Sequence, residues 1–313
     1  MNGGLVMADE LIGFSWARPK QGFYWTEIHV LASDVRVRVL TSGIPLNRAP
    51  KAEQLEIAEP LLEHSGLFRT FAALEPTEER ILRFANKYGS LGFQHGLFTM
   101  DNPECPGSEI PVSGELQSEW TQCISEMRWI VQLWDWIQAD NYRQLSEYVR
   151  WQGMDHVTVD SHPYLPADAE LAPPVLRIAS TLSTDELTSH AAPSFRPGFD
   201  VYWPAVVTVY RAVTGHLWRR VSPELTWDDR GKKMALRFEP DNLHDAMWLQ
   251  FARAIHGQYE YRSCGDCGEW FRLDPSIARS NRKFCSDVCK VRAYRKRKNK
   301  QMSVADADTQ SSA

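Results

Sequence analysis

The chain has 313 residues, 43% hydrophobic and 24% charged, with a formal net charge of −5, the proportions of a soluble globular protein rather than a disordered or fibrous one. No run reaches the roughly 18 apolar residues of a membrane span. Met1–Trp16 lacks the basic start of a secretory signal, so a cytoplasmic setting with reduced thiols is expected.

In chain order, Phe23–Val30 is aromatic and β-branched, and Val35, Val37 and Val39 alternate with Arg36 and Arg38, so both segments read as strands ended by Gly43 and Pro45. A short helix is expected over Ala52–Leu62. Thr77 should cap a helix running to Tyr88, with Glu78 and Glu79 in its first turn and Gly89 behind it. The longest helical signal spans Glu115–Ala139. Its two apolar faces are Trp120, Cys123, Ile124, Met127, Val131 and Trp134 on one side, and Trp129, Leu133, Trp136 and Ile137 on the other, which predicts a central, buried helix. Asp140 and Asn141 should break it before a second helix reaching Trp151. Residues 152–174 and 186–200 read as loops from their Pro, His, Ser and Asp content.

Tyr202–Leu217 reads as a helix with Pro204 in its first turn. A hairpin follows, with Leu225 and Trp227 on one strand, Met234, Leu236 and Phe238 on the next, and a turn at Asp229–Lys232. A helix is expected from Asp241, burying Leu243, Met247, Phe251 and Ile255, with Gly257 as its C′ residue. Eleven of the twelve tryptophans precede the last sixty residues, so the body should have an aromatic core. The tail 301–313 is small and polar, and is expected to be disordered.

The chemistry-bearing signal lies at 264–289. Cys264-Gly-Asp-Cys267 is a CxxC knuckle, and Cys285 and Cys289 are spaced i, i+4, which places two thiolates on one helix face. Four sulfurs around one Zn²⁺ make a closed structural site with no open position for catalysis. Tyr259, Tyr261, Trp270, Phe271 and Leu273 suit a small hairpin. Val288, Val291 and Tyr294 suit a narrow seam docking the following helix upon it. A module this small has little core, so metal must supply its stability. Disulfides, unconnected thiols and an iron–sulfur cluster are the competing readings of the four cysteines. Cys105 and Cys123 read as an incidental thiol and core filler.

Knuckle, hairpin and the string Lys283-Phe-Cys-Ser-Asp-Val-Cys-Lys-Val-Arg-Ala-Tyr-Arg295 resemble a treble-clef zinc finger of the FCS, MYND or bacterial CGNR type. CGNR-like proteins are the nearest likeness, although that family's Gly-Asn after the last cysteine is replaced here by Lys290-Val291. The resemblance implies one structural zinc, an N-terminal domain without an assigned role, and a DNA-binding or regulatory function. MYND-like fingers imply a protein-docking platform instead.

Charge is unevenly placed. Between Arg279 and Lys300 stand ten Lys or Arg and one acid, Asp287, leaving 25 basic and 39 acidic residues elsewhere. Arg279, Arg282, Lys283, Lys290, Arg292, Arg295, Lys296, Arg297 and Lys298 are therefore the expected contacts to nucleic acid, DNA in first place. Charge compensation of a Zn(Cys)4 centre, with its net −2, is the competing reading. The P-loop, GxGxxG, HExxH and GxSxG patterns are absent, so no enzyme is expected. His156 and His162, beside Asp155 and Asp160, lack ligand spacing, and His216, His244 and His256 fall on helices. Trp129, Trp134 and Trp136 read as core rather than as a ligand pocket.

The expectation is thus an α+β chain. A mainly helical body with short strands and a hairpin (1–256) precedes a C-terminal treble-clef zinc finger with a basic helix (257–300). The body would supply oligomerisation, ligand sensing or protein-partner contact, and no membrane association is expected.

Overall fold

The structure, a computed structural model, describes residues 14–30, 36–44, 51–93, 98–101, 107–162, 177–190, 192–228, 232–273 and 281–310. The fold is α+β, with helices and several small antiparallel sheets. Among the described residues no helix is long and apolar enough to cross a membrane.

A five-stranded sheet is built from β2 (Tyr24–Val30), β3 (Arg36–Thr41), β5 (Phe98–Asp101), β6 (Glu109–Val112) and β7 (Glu115–Leu116), in the order β6-β5-β2-β3-β7. One face closes over a small core of Ile28, Val39, Phe98 and Val112. Helix α3 (Glu78–Tyr88) is tied to this sheet: Trp25 Nε1 donates to Glu78 O at 3.0 Å, and Asn86 Oδ1 accepts from Phe23 N at 2.6 Å. Its ends are those expected. Thr77 accepts from Arg80 N, and Gly89 takes φ +108°, a conformation closed to most side chains.

The 52–62 helix is not what forms. A 3₁₀ turn (Ala52–Gln54) leads into β4 (Leu55–Ala58), which pairs with β1 (Trp16–Pro19), and α1 (Pro60–Glu63) starts only at Pro60. A ladder with a partner some forty residues upstream outweighs the local helical preference.

Helix α4 (Gln117–Gln138) is the central element. Trp120, Ile124, Met127, Trp129, Val131, Leu133 and Ile137 are buried on it, while Cys123, Trp134 and Trp136 are half-buried. Around it pack α2 (Leu67–Ala72), α5 (Tyr142–Tyr148), α7 (Tyr202–Leu217) and, against α2 and α7, α8 (Leu243–Gly257). Arg128 donates to Ala72 O and Leu74 O, satisfying the end of α2, and Arg69 grips Asp135 through two bonds of 2.9 and 2.6 Å.

Three expectations on the body change. The stretch after α5 is β8 (Val149–Gln152), paired with β9 (His156–Asp160), which also pairs with β10 (Ala179–Ser183). Val157 and Val159 are fully buried, so the period-two signal survives inside a segment whose composition reads as loop. Residues 184–190 form α6 (Thr184–His190). Helix α8 is capped by Asn242 rather than begun at Asp241, and its left-handed end residue is Gln258 (φ +48°), with Gly257 still helical. The expected hairpin is β11 (Val221–Asp228) with β12 (Lys233–Pro240); of its turn, 229–231 lie outside the described residues.

Candidate metal centre and basic helix

The C-terminal module begins with a second hairpin, β13 (Glu260–Ser263) and β14 (Trp270–Leu273). Alternation gives it two working faces. Phe271 and Leu273 turn towards the cysteines and, with Cys264, Cys289, Phe284 and Cys285, form a small core of their own. Tyr261, Trp270 and Arg272 turn towards the body. Tyr261 packs edge-on against Phe68 at 5.2 Å, and Arg69 lies 5.3 Å from the ring centres of both Tyr261 and Trp270.

The contact between β14 and the body is close. Trp270 N donates to Thr70 Oγ1 at 3.2 Å and Arg272 N to Ser65 Oγ at 3.1 Å, so side chains of the body satisfy the strand's outer edge. A Cβ placed on Gly66 would stand 2.5 Å from Trp270 O, so only glycine fits there. Glu269 extends the junction through an ion pair with Lys87 and by accepting from Tyr88 OH at 3.0 Å.

Between the strands the knuckle folds back on itself. Cys264 N donates to Glu269 O at 2.8 Å and Gly268 N to Cys264 O at 3.0 Å, with Gly268 at φ +76°. The other cysteine pair opens helix α9 (Asp287–Gln310), whose first turn is capped by Ser286: its Oγ accepts from Cys289 N at 3.3 Å. The four sulfurs all lie within 4.8 Å of one another, with Cys267–Cys285 at 3.6 Å and Cys285–Cys289 at 3.5 Å. Sulfurs on a tetrahedron with 2.3 Å metal bonds stand about 3.8 Å apart, so the set fits a single ion. Among the described residues this is the one group of three or more His, Cys, Asp or Glu ligand atoms close enough to share a metal.

The electrostatics favour the thiolate at Cys264. Burial pushes the Cys264 thiol up, but amides of Cys267, Cys285 and Asp266 aimed at its sulfur outweigh that and bring it down to about 6. Burial raises Cys267 and Cys285. Cys123, which lies outside the cluster, is also pushed up, to about 12, by burial on α4. Cys105 lies outside the described residues.

The basic residues separate into two groups. Arg292 pairs with Asp266 and donates to Cys289 Sγ at 3.4 Å, and Lys296 reaches Asp266 Oδ1 at 2.8 Å. Under these cations the Asp266 side chain is 1% exposed, and Lys296 and then Arg292 hold its carboxyl below the usual range. Arg282 donates to Phe284 O at 2.9 Å and to Cys285 O, and lies 5.1 Å from the Phe271 ring centre. These three cations brace the module. Lys283, Lys290, Arg295, Arg297 and Lys298 are exposed, and their side chains have no partner among the described residues. Arg279 lies outside the described residues.

The apolar seam is a correction. Val288, Val291 and Tyr294 are 72%, 47% and 62% exposed. Cys285, Cys289, Arg292 and Lys296 follow one another at helical spacing, so they set the inward face, and the three apolar residues fall on the outer side. The helix also runs on to Gln310, through the segment expected to be a disordered tail; no Gly or Pro interrupts 287–310. Asp266 and Ser286 were not singled out from sequence. Ser286 is readable as an N-cap, whereas the Asp266 pairings span 26 and 30 residues and leave no local mark.

Elsewhere, Asp160 is fully buried and pairs with Arg177, and His162 Nδ1 lies 3.0 Å from Ser161 Oγ, so these residues brace a turn. Trp129 and Trp136 pack against each other and Tyr148 as core. Comparison with models of known protein families, with curated proteins and with solved structures found no match.

Proposed function

We propose that this chain is a nucleic-acid-binding protein of regulatory type, with duplex DNA as its main target. Cys264, Cys267, Cys285 and Cys289 hold one structural Zn²⁺, and the outer face of α9 meets the polyanion. The ion supplies stability, not chemistry, and the role is binding rather than catalysis.

The observation that supports this reading is the division of labour among the cations. Arg292 and Lys296 are tied back to Asp266, which fixes the base of the helix. Lys290, Arg295, Arg297 and Lys298 remain exposed on an element of 24 residues, about 36 Å long. Phosphates neutralised by such residues release counterions, so affinity falls steeply with salt.

The exposed Val288, Val291 and Tyr294 favour a second reading, in which the same face docks a protein. Fluorescence anisotropy against duplex DNA, single-stranded DNA and RNA over a salt series separates the two. Replacing Arg295, Arg297 and Lys298 together by Ala should leave metal content unchanged, weaken duplex binding, and reduce the slope of log K against log salt by about 2–3. No binding at low salt, or an unaltered slope in the triple variant, refutes the nucleic-acid reading.

A further inference from the structure

The β11–β12 ribbon leaves an apolar face uncovered. Its register pairs Pro223 with Phe238, Leu225 with Leu236 and Trp227 with Met234, so alternation puts all six on one face. At the base Val221 and Phe238 pack on the main core. Beyond the base the same face is bare: Leu225, Trp227, Met234 and Leu236 are 63%, 58%, 57% and 43% exposed. On the opposite face Thr226, Ala235 and Arg237 are only partly exposed, and Thr226 Oγ1 and Arg237 Nε are shielded from solvent. Ser222, Glu224, Lys233 and Glu239 on that face are exposed, whereas an ordinary ribbon with one solvated face covers its apolar side.

We propose that the apolar face of this ribbon is a self-association surface, on which a second copy of the chain docks face to face about a two-fold axis. Three observations choose that occupant. The patch has the area: with about 150–250 Å² on an aromatic side chain and somewhat less on an aliphatic one, the four residues leave on the order of 400 Å² bare. With Pro223 and the ribbon backbone, two copies together bury about 1,000 Å², the lower bound for a specific interface.

The patch has the charge. None of its side chains is ionisable, whereas the chain outside 279–300 carries 39 acids against 25 bases. Two such bodies repel each other except where a neutral surface meets its like. The opposite face carries Glu224 and Glu239, which would meet their own copies unfavourably.

The patch also has the rigidity. Anchored at Val221 and Phe238, the ribbon is presented at a set angle, and an isologous contact uses each of its side chains twice. Two ribbons stacked in this way form a small sandwich with sheets about 10 Å apart. The inference does not depend on what α9 binds.

Sedimentation velocity of the full chain at micromolar concentration tests it. The wild type should sediment at twice 35.9 kDa. The double variant Leu225→Lys, Trp227→Lys and the single variant Met234→Glu should each fall to 35.9 kDa with unchanged far-ultraviolet circular dichroism. Using both guards against one of them misfolding. Glu224→Gln, on the other face, should remain dimeric. A monomeric wild type overturns the proposal, as does a dimer that survives in both apolar-face variants or one that Glu224→Gln dissociates equally well.

Discussion

Single residues carry much of what holds the body and module in shape, and Glu115 is the clearest case. It is 4% exposed and accepts from the amides of Leu91, Gly92 and Phe93 and from Trp120 Nε1. Burial raises its pKa to about 7 against the pull of those donors. An acid raised in the folded state is bound to its proton more tightly there than in the unfolded chain. Its contribution is therefore most favourable below about 4.5, and stability is lost as pH rises from there towards 7, at up to about 1.4 kcal/mol per pH unit. Glu115→Gln should flatten that part of the profile in urea titrations. It should also lower stability by about 1–3 kcal/mol above pH 7, where the carboxylate accepts from all four donors and an amide cannot. An unchanged pH profile would show that Glu115 is already ionised throughout. Towards the other end of the chain Asp266 does comparable work beneath two cations. Asp266→Asn should leave the metal stoichiometry intact but speed amide exchange in the first turns of α9, where Arg292 and Lys296 lose their anchor. Protection equal to the wild type would mean that the cysteines alone hold the helix.

At the scale of elements, α3 and α7 were legible because each carries its own instructions: Thr77 and Gly89 bracket one, and an apolar period with Pro204 in the first turn marks the other. Helix α4 was legible for the same reason, through two apolar faces that predicted its central position. What was not legible was set by distant partners. Residues 55–58 became strand because Trp16–Pro19 lies beside them, and β9 was hidden by a composition that describes its flanks better than its buried valines. The four cysteines could be read from spacing alone. The outward turn of Val288, Val291 and Tyr294 could not, because it follows from Cys285, Cys289 and Asp266 holding the opposite face. Metal removal is the test proper to this element. Chelation should loosen α9 and the Phe271–Leu273 cluster. Since β14 is bonded to Ser65 and Thr70, it should also lower the melting midpoint of the body, by about 2–4 °C for each kcal/mol lost. A body transition insensitive to chelator would mean that hairpin and helix separate when the ion leaves.

For the molecule as a whole, the junction between body and module decides what kind of object this is. The aromatic core and the cysteine cluster are separate apolar centres, yet the β13–β14 hairpin contributes to both, with Tyr261 facing one and Phe271 the other. A basic helix seated on such a hairpin takes its orientation from the body rather than from a flexible linker. Gly66, which admits no side chain beneath Trp270, has a further consequence in time. Gly66 and its neighbours Ser65 and Thr70 precede in sequence, by some two hundred residues, the strand that packs on them. While the chain is being synthesised, Phe68, Arg69 and Thr70 therefore wait without the cover that β13 and β14 bring.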